Sequence, residues 1–333
     1  MARYLFPAFV PVILAGSCSS DSDVGAESSP AATTTPSTTT RAASVTSSAE
    51  PVAGGAGIGD RYHPGLGNKG YDVEHYLLEL DFDPVMDRLV ARATITAVAV
   101  DALASFNLDW DLPGGGVRPQ ADGLTIDTLS VDGAGAAFTL AHEELSIVPA
   151  DPIPAGARFT VGIEYSGVPR PNPYPTSYFS QGWINTESNQ AFVVAIPDGA
   201  HTWFPSNDHP LDKATYEFRV TVPSGFTAAA NGTLISSRLA PDGDIVWIWE
   251  MDDPMATYLA TVVIGEFDVV VDDLATADAG VLIRHVLPRG AIPSDWPDLA
   301  GQGVMLAFLA ELFGPYPVNA YGIAIVDEFG AAL

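Results

Sequence analysis

The sequence predicts a mainly β protein behind an unstructured leader, and three observations carry that reading. Short segments rich in β-branched and aromatic residues recur with alternating polarity. Clusters of Gly, Pro and Asp separate them. A helical period stands out in a single place, near the C-terminal end of the sequence. The 333 residues leave room for one large or two ordinary domains, and 47% apolar composition is enough to build a core.

The leader comes first. Arg3 precedes the uncharged stretch 4–20, whose apolar run 5–16 falls short of the roughly 20 residues that a membrane-spanning helix needs. A basic start followed by a short apolar run is the layout of a secretion signal. Leu14-Ala15-Gly16-Ser17-Cys18 then resembles a bacterial lipobox, which makes residues 1–17 the signal peptide and Cys18 the lipid-attachment site. An ordinary cleaved signal, leaving a secreted protein, is the alternative. Cys18 is the only cysteine, which excludes an intramolecular disulfide and a cysteine-based metal site. Residues 18–58 are rich in Ser, Thr, Pro and Gly, with T-T-T-P-S-T-T-T over 33–40. Such a segment cannot bury enough surface to offset its ordering entropy, so a flexible tether to the outer face of the cytoplasmic membrane is expected.

Strands are expected from residue 71 onward. Residues 71–83 and 89–100 alternate apolar and polar positions, and Asp83-Pro84 with Met86-Asp87 reads as their hairpin connection. Further strands are expected over 124–131, 144–148 and 158–165, broken by D-G, G-A-G and P-A-G clusters. Segments 215–222, 245–251 and 257–264 continue the pattern. Many short strands at close spacing point to a sandwich or curved sheet. A helix is expected over 294–313, where Met305, Phe308, Leu309 and Leu312 share one face and Gly314-Pro315 ends it.

Charge narrows the partners. With 41 acidic against 14 basic residues, the net charge of −27 excludes nucleic acid, which needs a basic footprint. It equally excludes electrostatic docking on anionic lipid. Among the six histidines, His142-Glu143-Glu144 is followed by Ser146 where a second ligand four residues on is needed for a zinc helix. That segment reads instead as a turn running into a strand. His201 and His209 lie around a proline-rich turn beside Asp208, a hydrogen-bonded structural corner rather than a metal site. No glycine-rich phosphate loop or G-x-S-x-G elbow is present.

The densest motif runs P-D-G-A-H-T-W-F-P-S-N-D-H-P-L-D-K-A-T-Y over 197–216. Two prolines bracket Asn207 and Asp208, whose short side chains can lock a turn, and the alternation from Thr215 launches a strand. This run resembles the W-F-P-x-N-D-H-P-x-D-K-A-T-[FY] block of the aminopeptidase N family of zinc metallopeptidases, the gluzincins. Y-D-V-E-H-Y at 71–76 and P-M-A-T-Y-L at 254–259 resemble that family's sequence too. From Phe313, F-G-P-Y-P-V-N-A-Y-G-I-A-I-V-D-E-F-G-A-A-L resembles the approach to the catalytic domain. In members of an actinobacterial lipoprotein type that approach ends in A-L-E-T-Q, and Ala332 and Leu333 match its first two letters. The resemblance implies an N-terminal β-sandwich or saddle domain over 59–270. The first helix and strand of an α/β thermolysin-like catalytic domain would occupy 271–333.

The same resemblance implies a function and a gap in it. A full-length member would bind zinc through H-E-x-x-H and a further glutamate, and remove N-terminal residues from peptide substrates. Those groups would follow Leu333, so this chain alone is expected to hold no catalytic or metal-binding residue, to bind no zinc and to be inactive. One position departs from the family. Just before P-D-G-A, members carry Gln or Glu that helps hold the substrate's amino terminus, and here the candidate cleft residue is Ile196. Isoleucine cannot accept a hydrogen bond from an ammonium, nor can its neighbours Ala195 and Val194 through their side chains. The alternative reading is a lipid-anchored β domain for binding or scaffolding in the cell envelope. Against it, Met305, Phe308, Leu309, Leu312 and Ile323 would leave an exposed apolar patch on a finished protein.

Overall fold

The computed structural model describes residues 50–111, 123–173 and 180–327. The signal segment, Cys18, most of the expected tether and the Ala332-Leu333 match lie outside the described residues.

The main body is built on an eight-stranded sheet. Its order is Thr233–Leu239, Ile245–Ala256, Lys213–Val222, Tyr71–Asp83, Arg88–Ala99, Arg158–Gly167, Thr125–Val131 and Ala134–Gly135. Every neighbouring pair is antiparallel except Lys213–Val222 against Tyr71–Asp83. The expected hairpin between Tyr71–Asp83 and Arg88–Ala99 is present. Asp83 Oδ1 closes its turn by accepting from the amides of Val85 and Met86 at 2.9 and 3.1 Å.

Alternation in Tyr71–Asp83 changes phase at one point. Tyr71 and Val73 are buried, then Tyr76, Leu78, Leu80 and Phe82. A bulge between Val73 and His75 inserts the extra residue that moves the buried set from odd to even positions. Both halves of the strand thereby face one core.

Two smaller sheets cover that core. One orders Val52–Ala53, Leu103–Asp109, Glu144–Val148 and Ala137–Ala141; the other orders Asn172–Pro173, Ser180–Asn185, Ala191–Val194, Val262–Gly265 and Thr227–Ala230. Aromatic rings tie the layers together. Ring centroids of Phe82 and Trp183 lie 5.0 Å apart, Trp183 and Trp203 5.9 Å, Trp203 and Phe204 4.5 Å, Phe204 and Tyr76 5.4 Å. All five rings are fully buried, each worth roughly 1.5–3 kcal/mol of transfer free energy for a Phe-sized group.

A second unit follows. Strands Phe267–Val271, Leu282–Pro288 and Ala320–Tyr321 form a three-stranded sheet, with helices Asp273–Ala279 and Gln302–Phe313 packed together beside it. Its separate core holds Ile283, Leu287, Trp296, Leu299, Leu306 and Ile323. The described fold is therefore a β-sandwich of saddle type followed by helices and strands of a second, α/β unit.

Four local expectations are corrected. The helix expected over 294–313 begins only at Gln302; before it lie two 3-10 turns, Pro293–Asp295 and Pro297–Leu299, because proline cannot continue a helical ladder. Its buried positions are Gln302, Gly303 and Leu306, while Phe308 and Leu312 are exposed and Met305 and Leu309 half-buried. Gly303 backs onto Ala275 so closely that a Cβ would collide, and this contact between helices selects the face. Ile323 is 5% exposed, so it does not join the expected apolar patch. The strand expected over 257–264 is instead a 3-10 turn, Thr257–Leu259, then the strand Val262–Gly265. At the end of the expected tether, Val52–Ala53 pairs in parallel with Leu103–Asp109, and Gly54 sits against Phe106 and Lys69 where a side chain would not fit.

Candidate functional site

The P-D-G-A to K-A-T-Y run folds into a buried corner. The strand Ala191–Val194 ends before Ile196, the Ile196–Pro197 peptide bond is cis, and the 3-10 turn Ala200–Thr202 follows. Gly182 has φ +95 and its missing Cβ would run into Thr202 Oγ1, so only glycine fits beneath that turn.

Asp208 is the centre of the corner. Its Oδ2 accepts from His201 Nδ1 at 2.8 Å and from His201 N–H at 3.1 Å, while its Oδ1 accepts from Thr257 Oγ1 at 2.7 Å. Its own N–H donates to Asp109 Oδ2 at 2.6 Å. Asn207 reaches the opposite way. Its N–H donates to Tyr76 Oη at 3.0 Å, its Oδ1 accepts from Asn68 N–H at 2.6 Å, and its Nδ2 donates to Asp212. Asp212 Oδ1 accepts from Val73 N–H at 3.1 Å. Asn207 and Asp208 thus stitch together the large sheet, the Leu103–Asp109 strand, the chain before Tyr71 and the Thr257–Leu259 turn. These bonds form the hydrogen-bonded corner that the sequence led one to expect at Asn207 and Asp208.

Burial sets the electrostatics. It pushes the Asp109 carboxyl up to about 8, with the Asp208 charge adding to the rise and the Asp208 N–H opposing it. It likewise raises Glu144 and Asp212 to about 7 and Asp111 to about 6. For His201, burial alone would disfavour the charge. The Asp208 hydrogen bond and the charges of Asp208, Asp109 and Glu143 outweigh it and lift the imidazole to about 9. Burial thus favours the protonated form of Asp109, while the hydrogen bond to Asp208 favours the charged form of His201.

The candidate residues separate in space and role. Ile196 stands 38% exposed just beyond the end of Ala191–Val194, and Ala195 before it is buried. Two residues on from Ile196, half-buried Asp198 accepts from Gln181 Nε2 at 3.3 Å, and burial raises its carboxyl. His142 and Glu143 both take positive φ in the turn before Glu144–Val148, a geometry unlike a zinc helix. His209 Nε2 lies 3.7 Å from Asp60. Among the described residues, no group of three or more His, Cys, Asp or Glu side chains is arranged to hold a metal ion. Sequence reasoning missed Asp109, Asn68 and Gln181, which enter the corner from distant segments and carry no local signature, and it weighed Glu144 only within a zinc pattern.

Residues 73–259 match the family described as the peptidase M1 N-terminal domain. The chain belongs to that family. Among M1 relatives, endoplasmic reticulum aminopeptidase 1 of Rattus norvegicus is 25% identical over 194 residues, 57% of this chain and 20% of that protein. Aminopeptidase B of the same species is 28% identical over 194 residues, 56% of this chain and 27% of that protein. A crystal structure of an M1 zinc metallopeptidase from Deinococcus radiodurans matches 82% of this chain with a TM-score of 0.69 and 25% identity. This chain covers 60% of that structure. A mutant of a two-domain M1 zinc metallopeptidase, bound to L-arginine, matches 80% of this chain with a TM-score of 0.69 and 26% identity, and 59% of that structure is covered. The chain thus spans roughly a quarter or less of these curated M1 relatives' length.

Proposed function

We infer that this chain is the N-terminal part of an exported zinc aminopeptidase that removes N-terminal residues from peptides. One observation carries the reading. Similarity to the Deinococcus radiodurans M1 zinc metallopeptidase extends past the family domain at 73–259 to 82% of the chain, so the second unit shares that fold as well. The described residues do not fit a zinc site, and none is assigned as a ligand or as a catalytic group. Within the whole enzyme the first domain would form one wall of the cleft, with Ile196 and Pro197 at its lip. Cys18 would carry the lipid that anchors the protein to the outer face of a bacterial cytoplasmic membrane, in the manner of an actinobacterial-type lipoprotein member.

The test is to read the frame beyond codon 333 and assay the purified product on aminoacyl-4-nitroanilides with and without a chelator. H-E-x-x-H downstream and chelator-sensitive release support the reading. Unrelated downstream sequence with no release overturns it and leaves the anchored binding domain. Mass spectrometry of the membrane-extracted N-terminal peptide, beside a C18A variant, decides lipidation.

A further inference from the structure

The segment from Ile323 to Asp327 runs between the two cores and shows one face to each. Ile323 and Ile325 belong to the second core, whereas Ala324 and Val326 pack on the first. Its first half is held by Leu282–Pro288: Val286 N–H donates to Ile323 O at 3.0 Å, and Ile325 N–H donates to Val286 O at 2.9 Å. Two residues later the first domain takes hold. Gln190 Nε2 donates to Asp327 Oδ2, and Asp327 N–H donates to Gln190 Oε1, both at 3.0 Å. One amide thus supplies a donor and an acceptor to a single residue of the other unit. Gln190 is only 9% exposed, so water competes poorly for either bond.

Gln190 is itself fixed in place. It closes the turn between Ser180–Asn185 and Ala191–Val194, where Thr186 N–H donates to Gln190 O at 2.9 Å and Gln190 N–H donates to Thr186 Oγ1 at 3.1 Å. Asn189 takes φ +58 there, a conformation asparagine tolerates well. A rigid hairpin therefore delivers the amide, as a positioning group requires. The strand that starts beside Gln190 is the one that leads to the lip at Ile196.

The geometry points to Gln190 as a positioning residue: its clasp on Asp327 sets the register of the second unit against the hairpin that bears the cleft lip. This role rests on the aminopeptidase reading given above. A substrate held between two units is sensitive to their register, and a misplacement of about 1 Å can cost on the order of 100-fold in rate. Gln190 touches no substrate in this scheme. It acts through Asp327.

Two measurements test it. In this 333-residue chain, amide hydrogen exchange is followed at Val326 and Asp327 for wild type, Q190A, Q190E and Q190E/D327N. In the complete peptidase, KM and kcat are measured for short peptides with free amino termini. Q190A is expected to speed exchange at Asp327 and to raise KM on the order of tenfold with little change in kcat. Q190E should do the same, because a carboxylate there has no donor for Asp327. Adding D327N should restore both readouts, since the introduced amide can donate to the introduced carboxylate. Unchanged exchange in Q190A removes the clasp. Faster exchange with unchanged KM, or a fall in kcat that merely tracks a lower Tm, removes the positioning role. A wild-type complete protein that cleaves no peptide overturns the aminopeptidase reading and this role with it, while exchange still decides the clasp.

Discussion

His201 Nδ1 and Asp208 Oδ2 meet at 2.8 Å with side chains only 9% and 3% exposed, making one ion pair the hub of the buried corner. Removing one partner of such a pair strands the other charge away from water. D208A is therefore expected to destabilise the chain by about 3–5 kcal/mol in urea unfolding. A loss below about 1 kcal/mol would show the pair to be solvent-screened and the hub assignment mistaken.

The pH dependence of stability should run the same way for four groups. Asp109, at about 8, and Glu144 and Asp212, at about 7, all lie above their ordinary carboxylate values, and His201, at about 9, lies above the usual imidazole. For the carboxyls the folded chain keeps protons that the unfolded chain releases, so stability falls as pH rises from about 4 to 8. For His201 the stabilisation is fully present below about 6.5 and is lost as pH rises through 9. Urea midpoints should therefore drop between about pH 5.5 and 8.5. D109N keeps an acceptor for the Asp208 N–H and should flatten that drop, whereas an equal slope in both proteins would sink the assignment.

Gly182 offers a steric test. Its φ of +95 and the absent room beside Thr202 predict that G182A costs roughly 1–3 kcal/mol from backbone strain, with the collision in addition. Thermal unfolding of G182A and G182A/T202A separates the parts: the second change should recover the collision share only. Full recovery would mean that φ carries no strain.

Arg284 joins the two units. Its Nη2 donates to the carbonyls of Ala230 and Gly232 at 2.6 and 2.7 Å, and its guanidinium lies 4.3 Å from the Trp249 ring centroid. Burial lowers its pKa to about 10, still charged at neutral pH. R284A should cost about 3 kcal/mol and open the seam to limited proteolysis near Ala230. R284K keeps the charge without the planar fork and should recover less than half. Wild-type proteolysis kinetics in R284A would contradict the joint.

Ile196 supports a gain-of-function prediction that depends on the aminopeptidase reading. At 38% exposure a carboxylate at this position stays hydrated, so I196E should leave the melting temperature unchanged. In the complete peptidase it should lower KM for peptides with a free amine by several-fold and leave N-acetylated peptides unaffected. Equal effects on both classes would place the residue away from the amine.

The long strands were legible because burial on one face writes a period of two into Tyr71–Asp83 and Arg88–Ala99. Thr227–Ala230 escaped because alanine carries little strand preference, and Ala137–Ala141 because its mostly exposed residues write no alternation; pairing supplies the order in both. Helix Asp273–Ala279 is too short to show a period; its available signals were the Asp272 side chain accepting from Ala275 N–H and Gly280 at φ +69. Pro297 should have stopped the second helix from being extended back to 294. At the corner, Asn207 and Asp208 were readable as turn residues. Their partners Asn68 and Asp109 lie 139 and 99 positions away, and no local pattern announces such a meeting.

The segment between the cores also bears on synthesis. Domains ordinarily fold as units from the N-terminus while the chain emerges. Here Val318, Ala324 and Val326 complete the packing of a core whose first strand begins at Tyr71. A nascent chain that has just delivered the last strand of the saddle still presents an unfilled apolar slot on the ribosome. Until the residues around Asp327 clear the exit tunnel, that core cannot complete its packing.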